Sequence, residues 1–117
     1  MRRVLVVDDD SSIRRVMSQI LLALGYSVVT ARHGLDAVDL FHAEGERIDL
    51  VVTDLRMPVM DGYEAVDRIR KVKPTARIIC MSSAAPEGCP AGTTFLPKPF
   101  TFEAVQDCVG KALADCA

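Results

Sequence analysis

The chain has 117 residues, 50% of them apolar and 26% charged, with a formal net charge of −2. That size and apolar content suit a single folded domain with a real core and exclude a disordered polyelectrolyte. The near-neutral charge leaves no clustered excess of Lys and Arg for direct nucleic-acid binding, and apolar runs of a few residues exclude a membrane helix.

The chain opens on a short apolar run, RVLVV (3–7), suited to a strand buried on both faces. Arg2 and Arg3 ahead of it imitate a secretory leader, but Asp8 stops the run too early, so no leader is expected. Ile13, Val16, Met17, Ile20, Leu21 and Leu24 then recur at helical spacing, and Gly25 ends that helix. YSVVTA (26–31) reads as a second strand. Gly34 opens a helix carrying Ala37, Val38 and Phe41 on one face, fading by Gly45. DLVVT (49–53) is a third strand, and the loop DLRMPVMDG leads to a helix expected to turn Tyr63, Val66 and Ile69 inward before Pro74 ends it. RIICM (77–81) and TFLP (94–97) make the fourth and fifth strands. Thr101 is placed to cap a last helix with Val105, Cys108, Val109, Ala112 and Leu113 toward the core. Strands alternating with helices at this spacing predict right-handed βαβ units, hence one parallel sheet covered by helices on both faces.

In such folds reactive groups gather at the carboxyl ends of the strands. Asp8 and Asp9 follow strand one, Asp54 strand three, Ser82 strand four and Lys98 strand five. Two carboxylates about 4 Å apart repel by roughly 4 kcal/mol at an effective dielectric near 20, so three acids require counter-charge. Hard oxygen ligands in an open site suit Mg²⁺. A carboxylate can also act as a nucleophile toward phosphorus, with Lys98 and a metal offsetting charge on the phosphoryl oxygens and Ser82 donating to one of them.

Four stretches, VLVVDDDSSIR, VVTDLRMPVMDG, IICMSS and FLPKPF, together resemble the receiver domain of two-component response regulators, in the family's order and across the whole chain. The resemblance implies a single receiver domain over 1–117 with a flavodoxin-like, CheY-like three-layer sandwich and strand order 2-1-3-4-5. It implies Asp54 as phosphoacceptor, and Asp8, Asp9, Asp54 and the Arg56 main-chain carbonyl as Mg²⁺ ligands. Lys98 becomes the phosphate-binding ammonium, Ser82 the switch hydroxyl with Ser83 as its one-residue alternative, and Phe95 the switch aromatic. The Lys98–Pro99 peptide is expected to be cis. The phosphodonor is expected to be a histidine kinase or histidine phosphotransfer protein, and the listener an unknown downstream protein. A cytoplasmic monomer or weak dimer that contacts neither membrane nor nucleic acid is expected, and not a turnover enzyme.

Plainer roles are expected elsewhere. Asp10 reads as a helix cap rather than a fourth ligand, Asp61-Gly62 as a turn and helix entry, His33 as a loop residue and His42 as a solvated helix residue. Cys80, Cys89, Cys108 and Cys116 show no metal-ligand spacing and are expected as reduced thiols. The chain departs from its family in SAAPEGCPAGT (83–93), whose two prolines and two glycines disfavour the usual fourth helix; that helix is expected to be missing or reduced to one turn. Rival readings are a phosphoryl sink or shuttle without output and a degenerate receiver acting as a protein-interaction module. An aspartate-dependent phosphatase would need a second acid close after Asp54, where DLRMP offers Arg56, and no GxGxxG follows strand one for a dinucleotide.

Overall fold

The computed structural model describes residues 2–57, 59–83 and 88–114. Five strands, β1 (Arg3–Val7), β2 (Ser27–Ala31), β3 (Leu50–Asp54), β4 (Ile78–Ser82) and β5 (Thr94–Pro97), form one sheet in the order β2-β1-β3-β4-β5. All four pairings are parallel. The helices are α1 (Ser11–Ala23), α2 (Gly34–Glu44), α3 (Gly62–Val72) and α4 (Phe102–Leu113), with a single 3-10 turn at Gly45–Arg47.

Alternation along the strands builds two cores. Val4 and Val6 of β1 face one side with Val52, Met81 and Leu96, where Met17 and Leu21 of α1 and Val105 and Val109 of α4 cover them. Leu5 and Val7 face the other side with Val51 and Cys80, beneath Phe41 of α2 and Val66 and Ile69 of α3. Burial on both faces explains why the strands read as continuous apolar runs rather than alternating ones.

Local signals set the helix limits. Asp10 caps α1 by accepting from the Ser12 amide at 2.8 Å, and Gly25, at φ 95°, turns the chain out of its C-terminus. Asp61 and Thr101 cap α3 and α4 through the amides of Glu64 and Ala104, at 2.9 and 3.1 Å. Capping is thus the role of Asp10 and Asp61, as expected. His33 lies in the loop before α2, as expected, and has a further role there: its Nδ1 accepts from the Asp36 amide at 3.1 Å and caps the helix.

Tyr63 corrects the sequence reading. It is exposed, because the inward stripe of α3 runs through Gly62, Ala65, Val66 and Ile69, and Tyr63 lies about 100° around the helix from Gly62. Strands two, three and four each begin one residue later than expected, and strands three and four each end one residue later, so that Asp54 and Ser82 are the last residues of β3 and β4. Between β4 and β5 no α-helix occurs among the described residues; 84–87, part of the segment expected to lose its helix, lie outside them. Cys80, Cys89 and Cys108 are free thiols, and Cys116 lies outside the described residues.

Candidate functional site

Parallel pairing brings the ends of β1, β3, β4 and β5 to one rim. Val7 stands beside Thr53, Asp54 beside Met81, and Ser82 beside Pro97, so the last residues of β3 and β4 (Asp54 and Ser82) and the first residues beyond β1 and β5 (Asp8 and Lys98) enter the same space. The Lys98 amide donates to the Ser82 carbonyl at 2.9 Å, extending the ladder one step past β5. The Lys98–Pro99 peptide is cis, as expected.

The side chains converge. Lys98 Nζ lies 3.0 Å from Asp8 Oδ2 and 3.2 Å from Asp54 Oδ2, so one ammonium bridges acids contributed by two strands. Asp8, Asp9 and Asp54 each direct a carboxylate oxygen into a cluster in which all three atoms lie within 4.8 Å of one another. Asp8 is buried, Asp54 nearly so, and Asp9 exposed at the mouth. Asp8 Oδ1 accepts from the Asp10 amide at 2.9 Å, and Asp54 Oδ1 faces the Arg56 amide at 3.4 Å. Ser82 is buried at the end of β4 on the same rim, while Phe95 is half-buried in β5 opposite Cys80.

One contact carries no motif of its own in the sequence. Arg14, in the first turns of α1, donates from a guanidinium nitrogen to the Asp8 carbonyl at 2.6 Å. It fixes the backbone from which two of the three acids project. Only the helical register of SSIRR relative to the strand end could have revealed it, and that register follows from Asp10 being the cap.

Burial raises the Asp8 carboxyl above its ordinary value, although the Asp10 amide and Lys98 pull the other way. Burial also works against the Lys98 charge, but the hydrogen bond and charge of Asp8, joined by Asp54, outweigh it and raise the ammonium above its ordinary value. Three ionised acids and one ammonium leave a local charge of about −2. Oxygen-only donors, two of them on a buried wall and one at the mouth, fit a hard divalent cation that keeps part of its water shell. Asp10, occupied as a cap, stands apart from the set.

Residues 4–109 match the family profile of the response regulator receiver domain. Chemotaxis protein CheY4 of Vibrio cholerae is 34% identical, with a TM-score of 0.88 over 97% of this chain and 99% of that one. Response regulator TrrA of Thermotoga maritima, solved with Mg²⁺ and beryllofluoride, is 32% identical, with a TM-score of 0.86 over 97% and 100%. Sporulation initiation phosphotransferase F of Bacillus subtilis is 32% identical over 95% of this chain and 93% of its own length. The chain spans about a quarter or less, 15% to 26%, of the length of the first five curated relatives that it matches. No helix among the described residues is long and apolar enough to cross a membrane. An acid trio, two of whose members share one lysine, at the carboxyl rim of a 2-1-3-4-5 sheet and a profile match over nearly the whole length agree: the chain belongs to the response regulator receiver domain family of two-component signalling.

Proposed function

We propose that Asp54 accepts a phosphoryl group from a phosphohistidine of a partner histidine kinase or phosphotransfer protein. The observation that carries this reading is the placement of Lys98 Nζ between Asp8 and Asp54, beside the exposed Asp9. An Asp54 carboxylate oxygen bonds to phosphorus as the donor's P–N bond breaks and its electron pair returns to the imidazole. Lys98 holds the acceptor carboxylate in place and then pairs with a phosphoryl oxygen. When bound, a Mg²⁺ ion held by Asp8, Asp9, Asp54 and the Arg56 main-chain carbonyl offsets charge on the phosphoryl oxygens.

The modified Asp54 then attracts the Ser82 hydroxyl, and Phe95 repacks with the end of β4, shifting an equilibrium between two packings rather than building a new fold. Each domain is modified once per transfer, so it is a phosphotransfer substrate rather than a turnover enzyme. The setting is cytoplasmic, the domain a monomer or weak dimer, and the listener a protein. The nearly end-to-end match to a sporulation phosphotransferase favours, as a second reading, a shuttle that hands the phosphoryl group onward.

Intact-mass measurement after acetyl phosphate and Mg²⁺ should show one added phosphoryl group, absent in Asp54→Asn and in chelator. Equal labelling of Asp54→Asn overturns the assignment. Two measurements separate the readings: transfer of label from the phosphorylated chain onto a histidine of a phosphotransfer protein supports the shuttle, and beryllofluoride-dependent capture of a partner that neither donates nor accepts the phosphoryl group supports a switch.

A further inference from the structure

The end of the sheet opposite the acidic rim carries an open groove of about 470 Å³. It lies where β4 and β5 begin and α3 and α4 end. Arg70, Arg77 and Lys111 line it together with Thr75 and Thr94, and no acidic side chain does so among the described residues. Elsewhere the chain pairs cations with acids: Arg3 with Glu44, Arg68 with Glu64, Lys71 with Asp67. Among the described residues Arg70 and Lys111 have no such partner, and Arg77 donates one N–H to the Ala112 carbonyl at 3.0 Å.

Helix ends account for only part of this charge. A helix C-terminus carries about −0.5 of an elementary charge, so the ends of α3 and α4 offset about one of the three cations and leave about +2 in the groove. Backbone geometry also favours an open cationic floor. Gly92 has a φ of 78°, and a Cβ there would stand 3.2 Å from a terminal guanidinium nitrogen of Arg70. The bare glycine leaves that guanidinium its place.

We infer that this groove binds a small multivalent phosphate anion, of which a diphosphate is the simplest. Guanidinium forks match phosphoryl oxygens in pairs, the threonine hydroxyls add neutral donors, and the volume falls within the range of small-molecule sites. The site is independent of the acidic rim, whose net negative charge repels such a ligand.

The test is an amide NMR titration of the whole chain in chelator with sodium pyrophosphate, against sodium orthophosphate and sodium chloride at matched ionic strength. Pyrophosphate should give saturable shifts confined to the amides of residues 75–78, 92–94 and 111–112, with affinity at least tenfold above orthophosphate. Arg70→Gln and Lys111→Gln should each weaken binding at least fivefold while keeping a dispersed spectrum, since neither side chain makes a hydrogen bond among the described residues. Shifts that do not saturate, that centre on Asp8, Asp9 and Lys98, or that persist unchanged in the double variant overturn the inference. So does a hexaglutamate peptide that binds the groove where pyrophosphate fails, because the occupant would then be a protein segment.

Discussion

Gly62→Ala tests how the acidic rim is supported. Gly62 opens α3, and its amide donates to the Leu55 carbonyl at 2.9 Å. A Cβ at this position would collide with the Asp54 carbonyl oxygen and stand 2.6 Å from the Leu55 Cα, both backbone atoms in a buried segment. The same Asp54 carbonyl also accepts the Thr53 hydroxyl at 2.9 Å, so it has little room to yield. Overpacking of this kind costs about 1–3 kcal/mol, and straining the Gly62 hydrogen bond adds to it. Taking about 2 kcal/mol with a urea slope of about 1.5 kcal/mol per molar, the unfolding midpoint should fall by about 1.3 M. Gly110, exposed in the last turn of α4, is the control: beyond its own stretch of helix its Cβ position is open, and alanine there should raise stability by about 0.5 kcal/mol. Two glycine-to-alanine changes on helices should therefore move the midpoint in opposite directions. An unchanged midpoint in Gly62→Ala, or a lowered one in Gly110→Ala, refutes the steric reasoning.

Lys98 is raised above its ordinary value of 10.5 in the folded state, so its contribution is complete below that pH and is lost as pH rises through the folded value. The loss of stability between pH 10 and 12 should be steeper in the parent than in Lys98→Gln, read by urea unfolding at each pH. Asp8 is likewise raised above 3.8, so ionising it disfavours the folded state, and its contribution is lost as pH rises through its folded value. Asp8→Asn should therefore melt higher than the parent at pH 7 in chelator, and a lower midpoint would contradict the burial argument. Mg²⁺ at a hundredfold its dissociation constant should stabilise the parent by about 2.7 kcal/mol, roughly 10 °C in melting temperature, and leave Asp8→Asn nearly unmoved. His33→Ala should cost about 1 kcal/mol by removing the α2 cap and His33→Ser less, as measured by chemical unfolding.

Most of the fold is legible because apolar runs, caps and turn residues agree with one another. RVLVV and TFLP are strands within the expected limits, and the acids, hydroxyl and lysine meet because parallel strands all end at one rim. The failures share a cause: each depends on rotation or reach that one-dimensional spacing does not encode. Tyr63, Val66 and Ile69 share an i, i+3 spacing, yet it is Gly62 that approaches the end of β3 and Ala65 that packs with Val38 and Met60, which leaves Tyr63 outside. His33 caps through a ring nitrogen, which lies outside the Ser, Thr, Asp and Asn pattern used to find caps. Arg14 reaches back from α1 to a carbonyl, a contact carried by side-chain length rather than by any motif.

The hydrogen bond from the Lys98 amide to the Ser82 carbonyl ties together the strand ends that carry the ammonium and the hydroxyl. A tug on the hydroxyl-bearing strand end is thereby felt by the ammonium across one N–H···O bond. Under the proposed function, the group that would hold a phosphoryl oxygen and the group that would answer it sit on one mechanical linkage, so a change that shifts either strand end reaches the other.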